Sequence, residues 1–564
     1  MVRNEYPRPR LCRENNWECL NGSWQFEIDA DNSKKDEELL SKKTYSNEII
    51  VPFAPESKLS GIENTDMMLS VWYKREINIK KECGRILLHF GAVDYITRVW
   101  VDDKFVGEHV GGWTPFYFDI TDFAKEGKNT IIVNAYDNSA DTLQATGKQQ
   151  PEGEPEGCCY TRTTGIWQTV WLEYVPEFYI KNVLVTPNVE DKSAIVRVNF
   201  NDFCKNRVVT FKASIKGEVV GEKQIVANSD SAVLTLPLSV LELWCPESPT
   251  LYDLEVTVGD DNVMTYFGMR KISINGNKIE LNGKSIFMRL VLDQSYYPDG
   301  IMTAPTDDDI KNDILLAQAV GFNGSRMHMK IFEPRYSYWA DKLGYLIWSE
   351  YPNWGLDETN PAAALSMLPE WLCAIERDFN SPALIGWCPL NETGPKRNKQ
   401  FFELIYNATK ALDPTRPVID SSGYFHAVTD IFDIHLYENN VQAFYNFLKP
   451  LLVGEMPFIN DRGSSDALQY DFKQPFFVSE FGGISYGIKD GWGYSTVENT
   501  EAFYENYKGL IDVLLDNPYI CGFCYTQITD IMQEQNGIYY YDRSPKFDAK
   551  RLYEINTRKA EIEK

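Results

Sequence analysis

The chain is short of positive charge. Its 564 residues include 56 Lys and Arg against 81 Asp and Glu, a formal net charge of −25. Nucleic-acid binding depends on clustered Lys and Arg over the phosphate backbone, and an anionic membrane surface makes the same demand. Neither partner is expected. Long apolar runs are missing too. No stretch approaches the ~18 apolar residues of a spanning helix, and Met1-Val2-Arg3-Asn4-Glu5 opens no hydrophobic signal core. The 11 cysteines are an odd number without framework spacing. That excludes a disulfide scaffold and leaves a reduced, cytoplasmic setting as the expectation. The C-x-x-C at Cys521 and Cys524 lies in an extended apolar run, where an offset of three turns the thiols to opposite faces. With no second pair or His cluster beside it, redox and zinc chemistry are not expected there.

What is present falls into three rhythms. Residues 1–176 read as all-β, with Arg98-Val-Trp-Val, Pro115-Phe-Tyr-Phe-Asp-Ile and Asn129-Thr-Ile-Ile-Val-Asn as short strands between polar turns. Two packed antiparallel sheets, a jelly-roll β-sandwich, fit best. A long polar segment from Asn138 to Thr164 interrupts them, and loops of that size are usually functional. Residues 177–272 alternate as in Ala194-Ile-Val-Arg-Val-Asn-Phe and Tyr252-Asp-Leu-Glu-Val, the pattern of an immunoglobulin-like β-sandwich without its disulfide. From residue 273 to 564 strands and helices alternate. Thr306 caps a helix carrying Ile310, Ile314 and Ala317 on one face, and Tyr336 to Leu343, Phe401 to Leu412 and Thr500 to Leu515 read as further helices. This is the length of one (β/α)8 TIM barrel, which makes the chain a multidomain β plus α/β protein.

Two glutamates stand in unusual frames. Glu392 ends Gly386-Trp-Cys-Pro-Leu-Asn391-Glu392, and Glu480 ends Phe476-Phe-Val-Ser-Glu480 before Phe481-Gly-Gly. In both, a short apolar run stops at a carboxylate and a turn, as when a barrel strand delivers a catalytic group to its C-terminal rim. Two carboxyls meeting in one cleft are what acid-assisted cleavage of a glycosidic bond requires. The acid must hold a proton, so its pKa should be raised by an apolar wall or a neighbouring charge; Trp387 and Pro389 flank Glu392 and are candidates for that wall. The nucleophile must stay ionised and needs donors. The 13 % aromatic content suits stacking on sugar rings as well as packing within strands.

Taken in order, the motifs resemble glycoside hydrolase family 2, the family of β-galactosidases, β-glucuronidases and β-mannosidases. They are Thr164-Gly-Ile-Trp-Gln-Thr-Val-Trp, Leu243-Trp-Cys-Pro-Glu-Ser-Pro, Phe267-Gly-Met-Arg, Gly321-Phe-Asn-Gly-Ser-Arg326, Asn391-Glu392 and Ser479-Glu480-Phe-Gly. The resemblance implies a retaining exo-β-glycosidase acting on a carbohydrate or glycoside without a cofactor, with Glu392 as acid/base and Glu480 as nucleophile. It implies that Asn391 donates to the sugar 2-hydroxyl, that Arg326 lies near the nucleophile and that Tyr437 hydrogen-bonds it. His435 and His328 lie two residues from Tyr437 and Arg326, on the same strand faces. A homo-oligomer is implied by analogy only.

The sequence also departs from that pattern. After the first barrel strand, Asp293 and Gln294 replace the basic and imidazole groups of the galactosidase branch. At the end of the last strand Tyr525 stands where the family has a Trp under the sugar, with Gln527 and Asp530 as further candidate contacts. The Lys that meets a uronate in the glucuronidase branch is absent from Glu534-Gln-Asn536, although Lys148 could take that role. Trp354 and Leu356 occupy the positions of the Mg2+ ligands of large β-galactosidases, so no metal is expected; Trp354 and Trp492 are candidate cleft walls. The leading expectation is a β-galactosidase-like hydrolase. The alternatives are a β-glucuronidase, a galacturonidase or another β-glycosidase, a transglycosylase, and a non-catalytic carbohydrate-binding protein.

Overall fold

The computed structural model describes residues 3–13, 15–81, 84–394, 397–458, 466–488 and 490–564; Met1 and Val2 of the N-terminal segment lie outside them. Two antiparallel sheets face each other at the N-terminal end. One runs Asn47–Val51, Gly22–Asp29, Ser70–Ile79, Gly127–Tyr136, Ile96–Val101, Lys104–Val110, and the other Trp17–Cys19, Val170–Val175, Arg85–Phe90, Phe116–Asp119. The period of two along each strand fills the space between them: Trp24 and Phe26, Val71 and Tyr73, and Ile131 and Val133 meet Leu88 and Phe90, and Val170 and Leu172.

A second sandwich follows. A three-stranded sheet (Ile180–Asn188, Ser193–Phe200, Ser231–Pro237) packs on a four-stranded one (Glu218–Ala227, Arg207–Ile215, Tyr252–Val258, Asp261–Phe267). Val196, Val198, Phe211, Leu254 and Val256 form its core, and every described cysteine in the chain is free.

The third unit is a parallel barrel. Its seven assigned strands are Met288–Asp293, Gly324–Met327, Leu346–Glu350, Leu384–Cys388, Phe432–Leu436, Phe476–Gly482 and Ile520–Thr526. All seven are almost wholly buried, as expected of strands covered on both faces. The remaining place, between Leu384–Cys388 and Phe432–Leu436, is held by residues 418–422. They form only isolated parallel bridges, Trp387 with Val418 and Asn391 with Ser422. This thin stave borders the rim that carries Glu392.

Helices cover the barrel as the periodicity predicts, with bounds of Asp307–Ala319, Pro334–Leu343, Lys399–Leu412 and Thr500–Leu515. Thr306 caps the first by accepting from the Asp309 N–H at 3.2 Å. The helix Ala363–Asp378 was masked by Pro369, which reads as a breaker in a helix interior; burial of Met367, Trp371, Ala374 and Ile375 along one face outweighs it. Among the described residues no helix is long and apolar enough to cross a membrane.

The long segment from Asn138 to Thr164 belongs to the barrel as much as to the sandwich. Thr146 N–H donates to Trp354 O at 2.8 Å, Trp492 Nε1 donates to Gly157 O at 2.7 Å, and Tyr160 sits in the barrel's own core. The segment closes one side of the barrel mouth and carries Lys148 into it.

Candidate active site

Glu480 lies on the strand Phe476–Gly482 and both its oxygens are occupied. Arg326 Nη1 donates to Oε1 at 3.0 Å and the Tyr437 hydroxyl donates to Oε2 at 2.6 Å. A cation and a hydroxyl thus both donate to one buried carboxylate and fix its position. Tyr437 is fixed by a parallel stack on Tyr494, with ring centroids 3.5 Å apart. Because the tyrosine proton goes to Glu480, it is Thr526 that donates to the Tyr437 oxygen across 2.9 Å.

Arg326 organises more than the nucleophile. Its Nε donates to Glu350 Oε1 at 2.5 Å and its Nη2 to Asn391 Oδ1 at 3.0 Å. Burial pushes the Glu350 carboxyl up, against the pull of Arg326. With its oxygen engaged, Asn391 is left with a buried Nδ2 that has no partner among the described residues, a donor for a substrate hydroxyl. Behind it, Trp354 Nε1 donates to the Asn391 carbonyl at 3.2 Å.

Glu392 sits next along the chain in a left-handed conformation, at φ 47°, its N–H bonded to Ser422 O at 2.9 Å. Its Oε1 is 2.6 Å from His435 Nδ1, and His435 Nε2 is 3.4 Å from Glu480 Oε1. One imidazole therefore spans the two carboxylates, whose facing oxygens lie within 4.8 Å of one another. Burial pushes Glu392 up, but the hydrogen bond and charge of His435, with Lys148 behind, hold it down to about 2. Burial works against the charge on His435, yet Glu480 and Glu392 raise it above its ordinary 6.5.

This corrects the expected apolar wall. The Trp387 ring turns out to the helix layer, where Nε1 donates to Asp413 Oδ2 at 2.8 Å and the ring meets the edge of Trp371. The neighbour of Glu392 is an imidazole instead.

The other expected contacts divide. His328 faces Glu350, with Nδ1 2.9 Å from Oε2, and burial together with Lys148 pushes it well below the ordinary range. Gln294 and Gln527 join a closed ring of hydrogen bonds. Gln294 Nε2 donates to Gln527 Oε1 (2.6 Å) and to the Tyr160 hydroxyl (2.9 Å). Gln527 Nε2 donates to Asn536 Oδ1 (2.9 Å), and Asn536 Nδ2 to Glu534 Oε1 (3.1 Å). Tyr160 closes the ring on Glu534 Oε2 at 2.5 Å.

Three residues turn away. Tyr525 is buried outside the barrel against Phe481 and Tyr507, its oxygen accepting from Ile484 N–H at 3.2 Å; strand alternation gives the inward place to Thr526. Asp293 accepts from the Tyr336 hydroxyl and Ser295 N–H, both at 2.8 Å, and burial beside Asp313 pushes it up to about 6. Asp530 pairs with Lys546 at 2.6 Å.

Glu350, Ser422, Thr526, Tyr160 and Glu534 were not picked out as site residues. Glu350 had a signal, since it ends the short apolar strand Leu346–Glu350. Lys148 has less than a tenth of its surface exposed, and no hydrogen bond or ion pair of its ammonium is found among the described residues. Its charge is held up, against burial, by Glu534, Cys158, Glu480 and Glu392. Glu392, His435 and Glu480 each offer an atom within 4.8 Å of the others, and Arg326 donates to Glu480 Oε1 beside them. We read the cluster as a proton-sharing group.

Three family models match in order along the chain. They are Glycosyl hydrolases family 2, sugar binding domain, at residues 17–176, Glycosyl hydrolases family 2 at 178–270, and Glycosyl hydrolases family 2, TIM barrel domain, at 272–484. A β-galactosidase of Lactococcus lactis subsp. lactis is 26 % identical over 438 residues, which is 73 % of this chain and 40 % of that protein. A putative β-glucuronidase of Formosa agariphila is 28 % identical over 374 residues, 61 % of this chain and 44 % of that protein. The chain thus spans less than half the length of either relative. A solved β-glucuronidase from an uncultured Clostridium superposes with a TM-score of 0.80 at 20 % identity, covering 98 % of this chain and 99 % of that one, which establishes the shared fold. With three domain models matched in sequence from residue 17 to residue 484, the chain belongs to glycoside hydrolase family 2.

Proposed function

We propose that the protein hydrolyses a terminal β-linked glycosidic bond with retention of configuration, through a covalent glycosyl ester on Glu480 with Glu392 as acid/base. The observation that carries this is the pair of carboxylates with facing oxygens within 4.8 Å, close to the roughly 5–5.5 Å of a double displacement and short of the gap that holds a water in an inverting site. Arg326 and Tyr437 donate to Glu480 and hold it in place for attack on the anomeric carbon. Glu392 protonates the departing oxygen, then takes a proton from the water that hydrolyses the ester. Asn391 Nδ2 is the donor for the sugar 2-hydroxyl, a contact that strengthens as the oxocarbenium-like transition state forms.

The sugar read first is a neutral hexose, β-galactoside-like. Glu534, buried and held by Tyr160 and Asn536, lies near Lys148 and offers a hydroxyl acceptor, but repels a second carboxylate. One observation favours a β-glucuronide or galacturonide instead. The Lys148 ammonium stands 5.4 Å from the Trp354 ring centroid with no ion pair among the described residues, and a uronate would neutralise it. A panel of nitrophenyl β-galactoside, β-glucuronide and β-galacturonide separates the two. Failure on every β-glycoside, with sugar binding kept, would leave the non-catalytic reading.

A further inference from the structure

We infer that Glu392 and His435 work as one proton-carrying unit, in which the imidazole stores the proton that the acid/base gives to the leaving group. This rests on the assignment of Glu392 above.

The argument begins at the far side of the ring. The Ser422 hydroxyl donates to Asp433 Oδ2 at 2.7 Å, so its oxygen is left to accept. His435 Nε2 lies 3.0 Å from that oxygen and is the donor. Asp433 Oδ2 is an acceptor for the Gly423 N–H as well, at 3.1 Å, and for the Ser479 hydroxyl. With Nε2–H fixed, Nδ1 is the nitrogen whose proton comes and goes. It faces Glu392 Oε1 at 2.6 Å, shorter than the roughly 2.9 Å of an ordinary N–H···O bond. Two bare lone pairs at that distance repel, so the free site holds one proton between them. The imidazole side chain is fully buried and the Glu392 carboxyl is one-fifth exposed, so the proton reaches substrate through Glu392.

The charges around His435 make the unit self-adjusting. Glu480 and Glu392 raise its proton affinity and Arg326 lowers it; Glu350 also lies near enough to act on it. Lys148 and His328 act on the Glu392 side, and the Tyr424 ring, 5.5 Å away, completes the surround. When Glu480 bonds to the anomeric carbon, the carbon–oxygen bond to the leaving group breaks and its electron pair stays on that oxygen. Glu480 loses its negative charge as an ester, and the pair releases its proton to the leaving oxygen. Water then adds to the anomeric carbon as its bond to the Glu480 oxygen breaks with the electron pair left on Glu480; the water's proton goes to Glu392, and the restored charge on Glu480 restores the affinity of the pair.

The test is a pH profile of kcat/KM for a substrate with a poor leaving group, compared between wild type and His435→Asn. The basic limb of the wild type belongs to the pair and lies above the ordinary imidazole value of 6.5. In the variant it falls by more than one pH unit towards the carboxyl range, with a loss of about 100-fold at neutral pH. A dinitrophenyl glycoside, which needs no acid, is affected far less, and that shows the variant is folded. Nitrogen-15 spectra of the 5 histidines give a readout independent of turnover: His435 is doubly protonated at neutral pH, and Glu392→Gln removes the Nδ1 proton. A basic limb unmoved in His435→Asn, or an Nδ1 bare at neutral pH in the wild type, overturns the inference. If no β-glycoside is turned over, the functional reading fails, and the spectra still decide the pair.

Discussion

Replacing Tyr437 with Phe removes one hydroxyl and leaves the ring where it is. The stack on Tyr494, at 3.5 Å between centroids, is made by the two rings. What is lost is the 2.6 Å hydrogen bond to Glu480 Oε2. A bond to a charged group contributes about 1.5–3 kcal/mol, and at ~1.36 kcal/mol per decade that is about 10- to 150-fold in kcat/KM. Thr526 loses its acceptor as well, which places the effect towards the upper end. Steady-state kinetics on the best nitrophenyl glycoside measures the loss, and a thermal melt confirms the fold. A kcat/KM within about twofold of wild type would refute the role given to Tyr437.

Three further outcomes follow from the geometry. Glu480→Gln loses at least about three decades of turnover, whereas Glu392→Gln keeps the first step with activated leaving groups; a burst of released nitrophenol distinguishes them. Lys148→Met leaves a neutral galactoside within a few-fold but lowers uronide turnover at least about tenfold if a sugar carboxylate meets that ammonium; equal effects on both remove Lys148 from sugar selection. The buried His426 pairs with Asp420 at 2.7 Å, and although burial opposes the charge, Asp420 raises its pKa from 6.5 to about 9. A raised pKa stabilises the fold fully below about 6.5 and ceases to do so as pH passes about 9, so the melting gap between wild type and His426→Asn should narrow on that rise.

The large features were legible because they rest on periodicity and on strand ends. Alternation marked both sandwiches, and the faces of Thr500–Leu515 and Lys399–Leu412 announced their helices. Glu392 and Glu480 were disclosed by their frames, and Asn391, Arg326 and Tyr437 by the family resemblance. Tyr525 misled because a shift of one residue along a strand exchanges inside for outside: Thr526, not Tyr525, faces Tyr437. Trp387 misled because it lies on the strand Leu384–Cys388 with its ring on Asp413, whereas Glu392 lies past the strand's end. His435 was placed correctly on its strand, but the identity of the atom it meets on Glu392 depends on the thin stave at residues 418–422, whose isolated bridges leave no strand pattern to read. The ring of Gln294, Gln527, Asn536, Glu534 and Tyr160 joins residues almost 400 positions apart, and no local pattern specifies such a closure.

The most direct test of the account is to trap the glycosyl-enzyme. A 2-deoxy-2-fluoro glycoside with a good leaving group slows both steps and hydrolysis of the ester most of all. Peptide mapping by mass spectrometry should then find one added sugar, attached to Glu480, on a protein that has lost its activity. A sugar attached to any other residue, or an uninhibited enzyme whose product has inverted anomeric configuration, would contradict it.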